Sequence, residues 1–272
     1  MKQFETYEEY VEITKKHRKG SDYKNVYFLR DQVNALINAG KLSYKECGLN
    51  LYIFEKCDGF SRFYFYICKD ETPEVLRFEE PLVVEFVYEA PSDEKHAETV
   101  EYLGRLGFEL GRRSIRMSLQ SLSDFRFDED RCCSSRDILL GPAEIKDAED
   151  IRSMLLAEFD PKYSFIPTAD EMEEIIREGR IVVARHNDEI AGFEHFEITR
   201  KVLKCWHMLV AEAYQGQGIA WSLFSESHRI SMDRADSGQV WLREDNGPAV
   251  RLYRSGGYEP DNRRSDEYIL RG

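Results

Sequence analysis

Along the chain, stretches in which apolar residues recur every three or four positions alternate with short stretches in which they recur every second position or run together. These are the patterns of amphipathic helices and of half-buried strands. Residues 5–19 and 27–39 have helical spacing, with stops at Gly20 and Gly40. Leu49–Glu55 and Arg62–Cys68 are rich in aromatics and flank Asp58-Gly59, which predicts a hairpin. Leu82–Tyr88 predicts a strand, Glu94–Leu106 a helix ended by Gly107, and Arg113–Leu119 a returning strand. A second series opens with helices over Ala143–Phe159 and Ala169–Glu178, the latter with Thr168 or Asp170 as a cap and Gly179 as a stop. Strands over Ile181–Arg185 and Ile190–Ile198 flank the turn His186-Asn187-Asp188-Glu189. Then follow a strand over Val202–Val210, a helix over Gly218–Asp233, a strand over Val240–Arg243, a helix over Pro248–Ser255 and a last strand over Glu267–Leu270. The order is that of an α/β chain.

The two series resemble each other. Val100-Glu101-Tyr102-Leu103-Gly104-Arg105-Leu106-Gly107-Phe108-Glu109 aligns without a gap on Val250-Arg251-Leu252-Tyr253-Arg254-Ser255-Gly256-Gly257-Tyr258-Glu259, and an Arg-Arg-Ser follows each, at 112–114 and 263–265. A tandem duplication of one fold is the better reading of this match. Ser121–Arg136 mixes Ser, Asp, Arg and a cysteine pair with little periodicity. The expected division is therefore a domain over 1–120, a linker over 121–137 and a domain over 138–272.

Composition narrows the function classes. With 272 residues, 42% hydrophobic and 12% aromatic, the chain can bury a proper core and needs no disulfide staples. No window approaches the roughly 18 apolar residues of a membrane span, and no leader precedes the first helix, so a soluble cytoplasmic protein is expected. The formal charge of −13, from 38 basic and 51 acidic residues, repels a phosphate backbone and argues against nucleic acid as a partner. Six cysteines without metal-ligand spacing are expected to be free thiols, mostly buried, and no metal is expected.

The segment Val210-Ala211-Glu212-Ala213-Tyr214-Gln215-Gly216-Gln217-Gly218-Ile219-Ala220 carries the chemistry. It lies between an apolar strand and a long helix, where glycines let a ligand approach the backbone and free amides favour an anion such as a pyrophosphate. A Rossmann fingerprint needs a small residue where Trp221 stands, and a P-loop needs Gly-Lys-Ser/Thr, so both readings fail.

Gln-x-x-Gly-x-Ala, filled by Gln215, Gly218 and Ala220, resembles the acyl-CoA pyrophosphate loop of the GNAT superfamily of N-acetyltransferases. The downstream helix with Asn246 and Tyr253 before Gly257-Tyr258 resembles the same family, and the resemblance covers about 138–272. It implies a tandem GNAT-like fold, mixed central sheets flanked by helices, with a degenerate amino-terminal copy. It also implies acetyl-CoA as co-substrate and a primary amine of a small molecule or peptide as acceptor, with the protein a monomer or homodimer. Gly216, Gln217, Gly218, Ile219 and Ala220 would cradle the diphosphate beside Gln215, the strand edge at Met208, Leu209 and Val210 would pair with the pantetheine arm, and Asn246 would help to bind the cofactor. Tyr253 matches the position of the acid that protonates the leaving thiolate. For the base, Glu194 and His207 on adjacent strands are both open, directly or through water, and ordered water alone is a further option. Strand alternation puts Glu194 opposite His195, and His207 on one face with Cys205. His228, on the helix after the loop, is expected to face solvent. The amino-terminal copy has no Gly-rich turn between 69 and 92 and carries Leu103 in place of Tyr253. The rival reading is a non-catalytic acyl-CoA-binding or interaction scaffold.

Overall fold

The computed structural model describes residues 1–272 apart from Val75, Arg77 and Asp93. In chain order the elements are β1 (Lys2–Gln3), α1 (Tyr7–Arg18), β2 (Tyr23–Lys24), α2 (Arg30–Asn38), β3 (Leu42–Cys47), β4 (Asn50–Lys56), β5 (Ser61–Ile67), β6 (Leu82–Glu89), α3 (Glu94–Arg105) and β7 (Glu109–Leu119). There follow β8 (Ile138–Pro142), α4 (Ala148–Glu158), α5 (Ala169–Arg177), β9 (Ile181–His186), β10 (Glu189–Thr199), β11 (Val202–Val210), α6 (Ile219–Ser231), β12 (Ser237–Arg243), α7 (Gly247–Ser255) and β13 (Glu259–Leu270). They form two compact units, Met1–Arg113 with Asn262–Gly272, and Ser114–Asp261.

Within the first unit the strands run β1-β3-β4-β5-β6-β13, and within the second β7-β12-β11-β10-β9-β8. The repeat foreseen in the sequence is therefore present, with a difference at its ends. β13 pairs antiparallel with β6, from Arg263↔Glu89 to Leu270↔Leu82, while β7 pairs antiparallel with β12, from Ser114↔Arg243 to Leu119↔Gly238. Each unit is completed by the strand that follows the other half's last helix. The two crossings are alike: α3 leads through Gly107 (φ 93°) and buried Phe108 into β7, and α7 leads through Gly257 (φ 99°) and buried Tyr258 into β13.

This exchange divides the chain elsewhere than at 1–120, 121–137 and 138–272. The segment expected to be a linker is built into the second unit, because its few apolar residues find partners there. Leu122 and Phe125 are buried, the Phe125 ring stacks on His228 at 4.0 Å between centroids, and Trp221 Nε1 donates to the Asp128 carbonyl at 2.7 Å. The cysteines also differ from expectation. All six are free, but only Cys68 and Cys205 are buried, the other four being half-buried.

The core of the first unit is aromatic, with Tyr52, Phe54, Phe63, Phe65 and Phe108 packed together. In the second unit one cluster lies on the α6 and α7 side of the sheet, including Phe196, Cys205, Leu223, Phe224, Tyr253 and Tyr258. The other lies on the α4 and α5 side, including Ile151, Leu155, Ile175, Val183 and Phe193.

Candidate active site

β11 and β12 run parallel and pair from Val202↔Ser237 to Cys205↔Val240, and no further. Beyond that point Trp241, Leu242 and Arg243 pair only with Arg116, Ile115 and Ser114 of β7, while β11 continues to Val210 paired only with β10. The sheet thus opens into a wedge along Met208, Leu209 and Val210, whose backbone groups on the β12 side lack a strand partner. A wedge of this kind leaves an exposed edge on which an extended ligand can add like a strand.

The Gly-rich loop closes the end of the wedge. Gly216 (φ 75°) and Gly218 (φ 81°) both hold left-handed backbone, and Gly218 caps α6. Turning the chain at both glycines leaves the amides from Gly216 to Trp221 with no acceptor among the described residues, the next one, Ser222, donating to the Gly218 carbonyl at 3.0 Å. A run of free amides at a helix start is an anion cradle. Gln215 Nε2 donates to the Val210 carbonyl at 3.0 Å and Gln217 Nε2 to the Ala213 carbonyl at 3.3 Å, so both side chains brace the loop. Ile219 is buried beneath it in the core, and Ala220 is partly covered. A Cβ on Gly216 would meet open space, whereas one on Gly218 would come within 2.6 Å of the Arg131 carbonyl oxygen and 2.9 Å of the Cys133 nitrogen. A side chain at Gly218 would thus first disturb the backbone of Arg131–Cys133. Asn246 caps α7, its Oδ1 accepting from the Ala249 amide at 3.1 Å.

The proposed bases stand on opposite faces of the sheet. In β10, Glu194 pairs with Met208 and His195 with His207, but Phe196 pairs with Cys205, so Trp206 is an extra residue on β11. This bulge reverses the alternation and puts His207 on the face opposite Cys205, correcting the period-two expectation. Glu194 and Cys205 face α6 and α7, while His195 and His207 face α4.

On the α4 side, His207 Nδ1 lies 3.5 Å from His195 Nδ1, and the Phe159 ring meets His207 edge-on at 5.2 Å. Burial lowers the pKa of His207 to about 4. Burial also lowers that of His195 to about 3, helped by its neighbours His207 and Arg180. Trp206, pushed outward by the bulge, is 45% exposed, donates from Nε1 to Glu197 at 3.2 Å, and has Phe165 of the α4–α5 loop 6.2 Å from its ring. Trp206 was not singled out in the sequence, and His195 only as the residue opposite Glu194. The one signal there was a tryptophan in the middle of a strand, and only the register shows that it turns outward.

On the other side Glu194 is fully buried, and neither carboxylate oxygen has a hydrogen-bond partner among the described residues. Burial raises its pKa to about 8, against smaller lowering effects of the neighbouring Ser227 hydroxyl and Cys205 thiol. Tyr253 is buried beside Phe224 and Tyr258, and its hydroxyl is held well above the ordinary tyrosine range by burial and then by Cys205 and Glu194. His228, expected in solvent, is fully buried: Nδ1 donates to the Phe224 carbonyl at 2.7 Å, and Nε2 accepts from the Tyr258 hydroxyl at 2.8 Å. It serves the packing of α6. Among the described residues no group of His, Cys, Asp or Glu is arranged to hold a metal ion, and no helix is long and apolar enough to cross a membrane.

The model of the acetyltransferase (GNAT) domain matches residues 177–260, the stretch that contains the wedge, the loop and α7. No curated protein matches the sequence. Among solved structures, a GCN5-related N-acetyltransferase from Sphaerobacter thermophilus is similar over 82% of this chain and 76% of its own, at 14% identity and a TM-score of 0.56. One from Kribbella flavida is similar over 89% and 93%, at 14% identity and 0.53. A tandem GNAT protein from the clavulanic acid biosynthesis pathway is similar over 83% and 81%, at 13% identity and 0.53. At these identities the likeness is one of fold, and it extends over both halves. Residues 177–260 thus match an acetyltransferase (GNAT) domain, within a chain whose fold is similar to that of a tandem GNAT protein.

Proposed function

We propose that the protein is an acetyl-CoA-dependent N-acetyltransferase acting on a primary amine of a small molecule or peptide, in a ternary complex. The observation that carries this reading is the run of unpartnered amides from Gly216 to Trp221 at the end of a splayed strand edge. The amides receive the diphosphate, and the edge of Met208 to Val210 receives the pantetheine arm by strand-like hydrogen bonds. Acetyl-CoA supplies an activated thioester carbonyl. Transfer forms a C–N bond and breaks the C–S bond, the amine losing one proton and the thiolate gaining one.

Tyr253 is the acid in this reading. Its high pKa keeps it protonated at neutral pH, and it lies beside Cys205, where the strands part. His207 is the better placed of the two proposed bases. It is neutral at pH 7 and stands on the face opposite Tyr253, beside the α4–α5 loop, so an amine arriving there meets base and acid on different sides of the wedge. Glu194, protonated below about pH 8 and sealed under α6, is poorly suited to accept a proton at neutral pH. Trp206, Phe165 and Glu197 form the rim of the acceptor side, an aromatic and acidic surface suited to an organic cation.

The test is thiol release from acetyl-CoA with a panel of primary amines, alongside calorimetry with CoA. Tyr253→Phe should lower kcat by about 100-fold or more while leaving CoA affinity within a few-fold. Binding without turnover by any amine, unchanged in Tyr253→Phe, would support the scaffold reading instead.

A further inference from the structure

The first unit repeats the wedge. β5 and β6 run parallel and pair only at Ser61↔Leu82 and Arg62↔Val83, after which β5 continues to Ile67 paired with β4 alone on its other side. This is the arrangement of β11 and β12 in the second unit. The parts around the wedge correspond as well: α1 and α2 precede it as α4 and α5 do, and α3 follows as α7 does. Between Ile67 and Leu82 the described residues form no helix, so nothing corresponds to α6.

The open edge is not free. The chain between α1 and α2 turns inward as β2 and lies antiparallel on β5, with Tyr23↔Ile67 and Lys24↔Tyr66. Asp22 N donates to the Ile67 carbonyl at 2.8 Å, and Asp22 Oδ2 accepts from the Lys69 amide at 2.9 Å. Asn25 is 4% exposed and acts as one more peptide group: Nδ2 donates to the Phe63 carbonyl at 3.1 Å and Oδ1 accepts from the Phe65 amide at 2.8 Å. Tyr23 is buried in the aromatic core, its hydroxyl bonded to Glu98 of α3. In the second unit the corresponding α4–α5 loop, residues 159–168, makes no such strand, and its Phe159 and Phe165 lie against His207 and Trp206.

We infer that Asp22–Asn25 are a built-in occupant of the amino-terminal wedge, standing where the pantetheine arm lies in the carboxy-terminal one, so that the chain binds one CoA and not two. The inference rests on the proposed CoA site for what the occupant replaces. Its physical basis is its own: edge amides and carbonyls that must be satisfied when buried are satisfied here by the chain itself. A ligand would have to displace these hydrogen bonds and expose Tyr23 before it could pair with β5. The absence of a glycine loop is thus only part of why this half is silent.

Amide hydrogen exchange on the full chain tests it, with and without saturating CoA. Without CoA, the amides of Phe65 and Lys69 should exchange at least about tenfold more slowly than those of exposed residues such as 134–136. Fast exchange would overturn the inference, because the edge would then be open. With CoA, residues 63–69 and 22–25 should be unchanged, and slowed exchange at 63–69 or faster exchange at 22–25 would also overturn it. Protection at 206–210 and 216–221 is a separate readout: its absence would remove the proposed CoA site and leave the first comparison to decide the occupant. Asn25→Ala adds a check by calorimetry. Exchange at 63–69 should rise while CoA affinity at the carboxy-terminal site holds, and a second CoA bound to the wild-type protein would refute the inference.

Discussion

Glu194→Gln is expected to change how stability depends on pH, and the direction follows from burial. The native state holds the Glu194 carboxyl protonated up to about pH 8, whereas in the unfolded chain it ionises near 4.5. Between those values the native state binds one proton more than the unfolded state, so this group makes stability fall as pH rises, by about 1.4 kcal/mol per pH unit. Its contribution is fully present below pH 4.5 and is lost as pH rises through 8. The substituted amide cannot ionise, so the variant lacks this slope. Relative to the wild type it should gain about 3 kcal/mol between pH 5 and pH 7 and stop gaining above pH 8. Its stability at any single pH is a poorer guide, because a buried amide brings donors that also need partners. The assay is urea unfolding of both proteins at pH 5, 6, 7 and 8, read by fluorescence, with the m-values compared. A difference that is flat with pH would mean that Glu194 is ionised in the native state, and the assignment of the proton would be wrong. Thiol release should stay within a few-fold of the wild type at pH 7, since the side chain there remains neutral.

Further outcomes follow from the same geometry. His207→Gln should lower kcat by about 100-fold with CoA binding intact, and the wild-type rate should fall as pH drops through about 4, where the imidazole gains its proton; a variant with the wild-type rate and profile would remove His207 from the reaction. Gly216→Ala should cost about 1–2 kcal/mol for its left-handed backbone alone, whereas Gly218→Ala should cost more, because its Cβ would strike the Arg131–Cys133 backbone; equal melting temperatures for the two would contradict the packing of that segment. A chain of residues 138–272 should be insoluble, because it lacks the β7 partner of β12 and the buried Phe125, and leaves β13 without β6; a soluble, active fragment would show that the exchanged strands are dispensable.

Features that arise from neighbours along the chain could be read before any fold was known. The strand over 202–210, the glycines at 216 and 218 and the helix after them are legible because backbone freedom, helix-start amides and apolar spacing are local properties. So is the repeat of helix, glycine and aromatic at Gly107-Phe108 and Gly257-Tyr258. Whatever depends on which strands meet came from the folded chain alone. An outer strand such as β7 has the same residue pattern whether it returns to its own half or completes the other, so the exchange left no mark in the sequence. Nor can alternation reveal a bulge. One unpaired residue, Trp206, moved His207 to the opposite face from Cys205, so that Glu194 and His207 stand on different sides of the sheet. His228, polar and on a helix, was read as exposed because only the packed helix shows that a carbonyl and Tyr258 satisfy both its nitrogens. Asp22-Tyr23-Lys24-Asn25 falls between the helices expected over 5–19 and 27–39, and its strand pairing leaves no local signal: its hydrogen-bond partners lie some forty residues away on β5, and only the folded edge brings them into reach.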